Sequence, residues 1–67
     1  MIKIGDTVLC RLYNTPERKF YRESFKGEIT GFGTSAIDNS KMYQVFTKVP
    51  QVRVIWLHRK EIRRIIK

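Results

Sequence analysis

Apolar residues recur at every second position through most of this chain. Four short stretches show that period: Thr7–Leu12, Phe25–Phe32, Met42–Thr47 and Val52–Leu57. Each is rich in β-branched and aromatic residues, and alternation of this kind predicts half-buried strands and not amphipathic helices. The sequence therefore predicts an all-β protein. With 67 residues there is room for one small core, so we expect a single domain over residues 1–67.

Turn-forming residues separate the strands. Asn14-Thr15-Pro16 predicts a polar loop after the first strand, and Val49-Pro50-Gln51 predicts a tight hairpin connection. Phe20–Phe25 continues the second strand backwards. The result is one long bent strand, which can curl at Gly27 and Gly31.

The C-terminal segment is compatible with a helix or with a closing strand. We predict a single turn over His58–Glu61 followed by a short strand, because a closing strand covers edges that would otherwise stay exposed. Each strand is expected to contribute one inward residue to the core. These residues are Val8, Ile29, Val45, Val54 and Ile62.

Residues with catalytic or metal-binding chemistry are sparse. Cys10 is the only cysteine and is predicted to be a core residue, and His58 is the only histidine. We therefore expect no disulfide and no zinc-type metal site. The acids are scattered and no glycine run has phosphate-loop spacing, so we expect no catalytic residue and no cofactor. Trp56 is predicted to pack in the core or at a subunit interface, which leaves a homo-oligomer open.

Targeting and membrane signals are also missing from the pattern. No apolar run approaches the ~18 residues of a spanning helix, and the first residues do not resemble a signal peptide. We expect a cytoplasmic protein without a membrane partner.

Positive charge is concentrated at one end of the sequence. The formal net charge is +8. Lys48–Lys67 carries seven basic residues against Glu61 alone, whereas Gly27–Thr47 has a balance of −1. A basic end on a nearly neutral body is typical of a polyanion-binding protein, although the same charge also favours solubility.

Two basic stretches interleave with aromatic residues, one in the first loop and one around Trp56. Cations of this kind contact phosphates, and exposed rings stack on bases. The predicted nucleic-acid-binding residues are Arg18, Lys19, Tyr21, Arg22, Arg53, Arg59, Lys60, Arg63 and Arg64.

The order of core and turn residues resembles small SH3-like barrels of the Tudor and KOW kind. Gly5-Asp6-Thr7-Val8 opens the pattern, followed by Phe25–Gly31, Tyr43-Gln44-Val45, Val54–Leu57 and Glu61–Ile65. The resemblance implies an SH3-like antiparallel barrel of about five strands, with a short 3-10 turn before the last strand. It concerns the fold and leaves the ligand undetermined.

The chain also resembles the plasmid type II dihydrofolate reductases, which are SH3-like barrels assembled as tetramers. In that family a Val-Gln-Ile-Tyr segment on the fourth strand lines the active pore. Here the segment is Val54-Ile55-Trp56-Leu57, without the glutamine and the tyrosine. We therefore expect no reductase activity.

Two functions of different classes remain. The first is a non-catalytic module that binds DNA or RNA through its phosphates. The alternative is a small regulator or inhibitor, such as a phage-type host-modulating factor, that docks its basic face on an acidic protein surface.

Overall fold

Five antiparallel strands form one sheet in the order β4-β3-β2-β1-β5. The computed structural model describes residues 1–48 and 51–66. The elements are β1 (Thr7–Asn14), β2 (Lys19–Thr34), β3 (Lys41–Thr47), β4 (Arg53–His58), a 3-10 turn (Arg59–Glu61) and β5 (Ile62–Ile66). The all-β prediction is confirmed. The predicted connection Val49-Pro50-Gln51 includes two residues, Val49 and Pro50, that lie outside the described part of the chain.

The second strand is long and pairs with two neighbouring strands. β2 has 16 residues; its first part pairs with β1, and its second part pairs with β3. Gly27 is buried, and a Cβ at this position would overlap Cγ1 of Val45. The missing side chain lets β3 pack closely against β2 at this position. The prediction that the second strand extends back through Phe20–Phe25 is confirmed.

The C-terminal segment is a turn followed by a strand, as predicted, and the helical alternative is wrong. The 3-10 turn occupies Arg59–Glu61, and β5 then pairs with β1 through Val8 and Ile65. β5 thus covers the β1 edge of the sheet. Across residues 1–48 and 51–66, no helix is long and apolar enough to cross a membrane.

The core lies on the inner face of the curled sheet. Its buried apolar residues are Ile2, Val8, Cys10, Ile29, Tyr43, Val45, Leu57 and Ile62. Four of the five predicted inward residues are among them. Val54 is the exception, with 53% of its surface exposed. It lies opposite Phe46, while Leu57 lies opposite the buried Tyr43. Because residues directly opposite share a face, Leu57 and not Val54 represents β4 in the core.

A bulge in β2 changes which side chains share a face. Ile29 pairs with Val45, but the next paired residue, Gly31, lies opposite Gln44, so Thr30 is the extra residue. The alternation therefore reverses after Thr30. Strict alternation would place Phe32 on the same face as the preceding polar residues. Because of the bulge, Phe32 instead lies opposite Tyr43 and shares its face.

Candidate nucleic-acid interface

Two aromatic rings face each other across the first hairpin. Tyr13, near the end of β1, lies opposite Phe20, near the start of β2. Their ring centroids are 5.0 Å apart with an interplanar angle of 73°, an edge-to-face arrangement that aromatic pairs favour. The hairpin therefore presents a small aromatic platform.

Two C-terminal cations lie on this platform. The Lys60 Nζ is 3.8 Å from the centroid of the Tyr13 ring, and the Arg63 guanidinium carbon is 4.9 Å from that of Phe20. We call these four residues the aromatic–basic cluster. A cation over a ring face is attracted by the ring quadrupole, worth about 0.5–1 kcal/mol at exposed sites. The contact orders two long side chains and leaves their charges at the surface.

A buried carboxylate fixes the turn that carries these cations. Glu61 is 8% exposed, although Lys60, the residue before it in the chain, is exposed. The backbone N–H of Tyr13 donates to its Oε2 (3.1 Å), and the backbone N–H of His58 donates to its Oε1 (3.0 Å). Buried charges are stable in proteins when hydrogen bonds of this kind satisfy them. Glu61 thereby ties the 3-10 turn to β1, which places Lys60 next to Tyr13.

Cys10 lies in the core beside this carboxylate. Burial, followed by the nearby negative charge of Glu61, raises the pKa of the Cys10 thiol to about 11. The thiol is therefore neutral at physiological pH and packs as a small apolar group. The prediction that Cys10 is a core residue is confirmed.

The raised pKa of Cys10 makes stability depend on pH in the alkaline range. In the unfolded chain the thiol ionises near its ordinary pKa of 9.0, whereas in the folded chain it stays protonated up to about pH 11. The unfolded state therefore loses its proton first, and the free energy of unfolding falls between pH 9 and pH 11. We expect this fall to be about 2 kcal/mol smaller in Cys10→Val, measured by urea unfolding at a series of pH values. If the free energy of unfolding fell equally in the two proteins between pH 9 and pH 11, the raised pKa of Cys10 would be contradicted.

Four of the predicted binding residues lie in or beside the first hairpin. Arg18 occupies the turn with a φ of 56°, in the left-handed region. Lys19 begins β2 and forms an exposed ion pair with Glu17 at 3.5 Å. Tyr21 and Arg22 follow Phe20 and are exposed. All four are close to Phe20 in the chain. Successive residues of a strand point to opposite faces, so Lys19 and Tyr21 lie on the side of the hairpin away from the Phe20 ring. On that side the Nδ2 of Asn14 donates to the Tyr21 hydroxyl (3.4 Å).

The remaining predicted cations are divided between two places. Arg59 and Arg64 flank the cluster residues in the C-terminal segment; Arg59 donates from Nη1 to the carbonyl of Ile62 (2.9 Å), and Arg64 is exposed. Arg53 is half-buried at the start of β4, with its guanidinium 6.0 Å from the Phe25 ring. It lines a cleft of about 220 Å³ that also contains Tyr21. Arg53 is therefore the one predicted residue that packs mainly on a core-side ring.

Sequence reasoning missed the two rings that hold the cations. Tyr13 lies outside both basic stretches, and Phe20 lies within the first of them but is not among the predicted binding residues. One signal was available, because Tyr13 directly precedes Asn14-Thr15-Pro16 and a hairpin turn there would place it opposite Phe20. The cation–π contact of Lys41, whose Nζ lies 4.6 Å from the Phe32 ring centroid, was also not indicated by the sequence.

Comparison of the chain with protein-family models, curated proteins and solved structures gives no match. Function is therefore inferred from the geometry of this chain itself.

Proposed function

We propose that this chain is a non-catalytic, SH3-like binding module whose ligand is nucleic acid, held mainly through its phosphates. The strand order supports the SH3-like assignment, because β5 lies beside β1 and a 3-10 turn separates it from β4. The observation that carries the functional proposal is the aromatic–basic cluster. It gathers cations from the basic end of the sequence onto the aromatic residues of the first hairpin.

The cluster suits phosphate binding for an energetic reason. Free lysine and arginine side chains lose rotamer entropy when they engage a ligand. Lys60 and Arg63 are already ordered over rings, so less of that entropy is lost on binding. Neutralising phosphates also releases condensed counterions, which supplies sequence-independent affinity. The net charge of +8 adds long-range attraction.

The end of the first hairpin adds cations on both of its faces. Lys19 lies opposite Asn14, one pair beyond Tyr13 and Phe20 and therefore on the other face, and Arg18 and Arg22 are exposed nearby. Tyr21 is 48% exposed beside Asn14 and offers a ring on which an unpaired base can stack. The proposed ligand surface thus runs from the C-terminal turn to the hairpin and around its end. Binding with weak sequence preference follows from a surface dominated by charge and stacking.

Salt dependence is the direct test of this proposal. Fluorescence anisotropy of labelled single-stranded and duplex oligonucleotides should show an affinity that falls linearly with salt on a log–log plot. The slope should correspond to about 0.7–0.9 for each phosphate contact. A slope near zero, or no binding at low salt, would contradict the proposal. That outcome would favour the regulator that docks on an acidic protein surface.

A further inference from the structure

β4 is an unprotected edge of the sheet. It is the last strand on its side, and within residues 1–48 and 51–66 only β3 pairs with it. Between Arg53 and His58 the strand reads Val54-Ile55-Trp56-Leu57, with no charged residue, proline or glycine. Free strand edges of this kind are templates for pairing with another chain.

The opposite edge of the sheet is protected by contrast. β5 carries Arg63 and Arg64 in the middle of its five residues. Its register against β1 also shifts between Leu9 and Cys10. Charges and irregular register are devices that prevent edge-to-edge association. In β4 the segment Val54–Leu57 lacks them, and the one charged residue, Arg53, is at the start of the strand.

The outer face next to the β4 edge is apolar as well. Val54 is 53% exposed and Trp56 is 49% exposed, and both belong to the same face. Phe46 lies opposite Val54 and is half-buried. The Trp56 ring lies across the backbone of Gly33, where an added Cβ would be 2.9 Å from its Cζ3. The ring is thus held against the sheet beside the open edge.

We propose that a second copy of this chain pairs with β4 through a two-fold axis, so that two sheets join edge to edge in antiparallel fashion. A two-fold contact uses the same strand on both molecules, which the uncharged segment Val54–Leu57 and its regular register with β3 permit. An acidic partner protein would be drawn to the cationic surface beside β5. The segment Val54–Leu57 offers it no electrostatic attraction.

Charge and strand overlap select the register of this contact. With the two-fold axis at Ile55, Val54 lies opposite the partner's Trp56, and Arg53 lies opposite the partner's Leu57. Centring the axis on Trp56 would instead place Arg53 opposite the partner's Arg59, and like charges directly opposite are unfavourable in a sheet. An axis at Val54 would pair only Arg53–Ile55 within β4, whereas the Ile55 register pairs all of Arg53–Leu57, so the Ile55 register is the one we assign.

Two measurements on nuclease-treated protein test the dimer. Sedimentation equilibrium should give a mass rising with concentration to twice the 8.0 kDa of one chain. Trp56 is the only tryptophan, so its fluorescence emission should shift to shorter wavelength as the dimer forms. A mass of one chain up to millimolar concentration, with unchanged emission, would overturn the proposal.

A matched pair of variants locates the contact. Val54→Lys adds a charge to the proposed contact at an exposed position, and we expect it to weaken dimerisation by about tenfold or more. Ile37→Lys adds the same charge at a residue that is 96% exposed in the loop between β2 and β3, and should dimerise as the unmodified chain does. Far-ultraviolet circular dichroism checks that both variants fold. A Val54→Lys protein that folds and dimerises normally would show that β4 is not the contact.

This proposal does not rest on nucleic-acid binding. The mass and emission measurements are made without nucleic acid. The salt titration of oligonucleotide binding can be made at concentrations where the chain is monomeric. Failure of either proposal therefore leaves the other intact.

Discussion

Replacing Ile29 with Ala is expected to lower the free energy of unfolding by about 2–5 kcal/mol. Ile29 is fully buried and lies opposite Val45 at the centre of the core, so the truncation leaves a cavity that the sheet cannot readily collapse. Proteins have roughly 0.05–0.15 kcal/mol of stability per residue, which makes this loss a large part of the total for so small a domain. Urea unfolding followed by circular dichroism measures it.

The control for this effect is Ile37→Ala, in the loop between β2 and β3. Ile37 is 96% exposed, so its truncation should change stability by no more than about 0.5 kcal/mol. Equal stability of the Ile29→Ala and Ile37→Ala proteins would contradict the core described here. A far-ultraviolet spectrum dominated by helix would contradict the fold itself.

The double charge reversal Lys60→Glu with Arg63→Glu should give the largest change in nucleic-acid binding. It removes two proposed phosphate contacts and places two negative charges beside the ligand. We expect affinity at low salt to fall by at least about tenfold and the log–log salt slope to decrease by about 1.4–1.8. Both residues are exposed, and losing two cation–π contacts should lower stability by only about 1–2 kcal/mol. Fluorescence anisotropy across a salt series, with circular dichroism as a check on folding, measures both effects.

A control double charge reversal, made away from the cluster, distinguishes the loss of local phosphate contacts from the effect of a lower net charge. Lys3→Glu with Lys41→Glu changes the total charge by the same amount. Lys3 precedes β1 and Lys41 begins β3, so both lie away from the end of the hairpin that carries Tyr13. We expect the control to reduce affinity through long-range attraction while leaving the slope nearly unchanged. Equal loss of slope in the two double variants would rule out a localised site.

The strands could be predicted because alternation and turn residues are local signals. Extension of β2 back through Phe20–Phe25 was indicated by the aromatic residues of that segment. The C-terminal turn and β5 followed from the need to cover the edge of β1. The strand and turn positions depended on local signals and β5 on the covering of a sheet edge, and each of these predictions is confirmed.

The faces of β4 could not be predicted in the same way. Val54 and Trp56 alternate with Ile55 and Leu57, so both faces of the strand are apolar and the period alone does not select the inner one. The register with β3 decides the question, because it places Leu57 opposite Tyr43. The bulge at Thr30 has a similar effect on Phe32. A single extra residue is invisible to a period-two pattern, yet it reverses every face that follows.

The candidate site was predicted in composition but not in arrangement. Net charge identified Lys60 and Arg63 as candidate contacts. Their support by Tyr13 and Phe20 depends on β5 returning to the side of β1, which is a property of the strand order. Contact of these residues with nucleic acid stays a prediction.

The hydrogen bond from Tyr13 to Glu61 spans 48 positions of the chain, and this separation has a consequence for synthesis on the ribosome. The first hairpin emerges early with its rings, while Lys60 and Arg63 follow much later. A nascent chain that ends before β5 would display the aromatic platform without its cations. The cationic surface described here can therefore form only after the last strand has returned to β1, so that capture of a polyanion would follow folding and would not precede it.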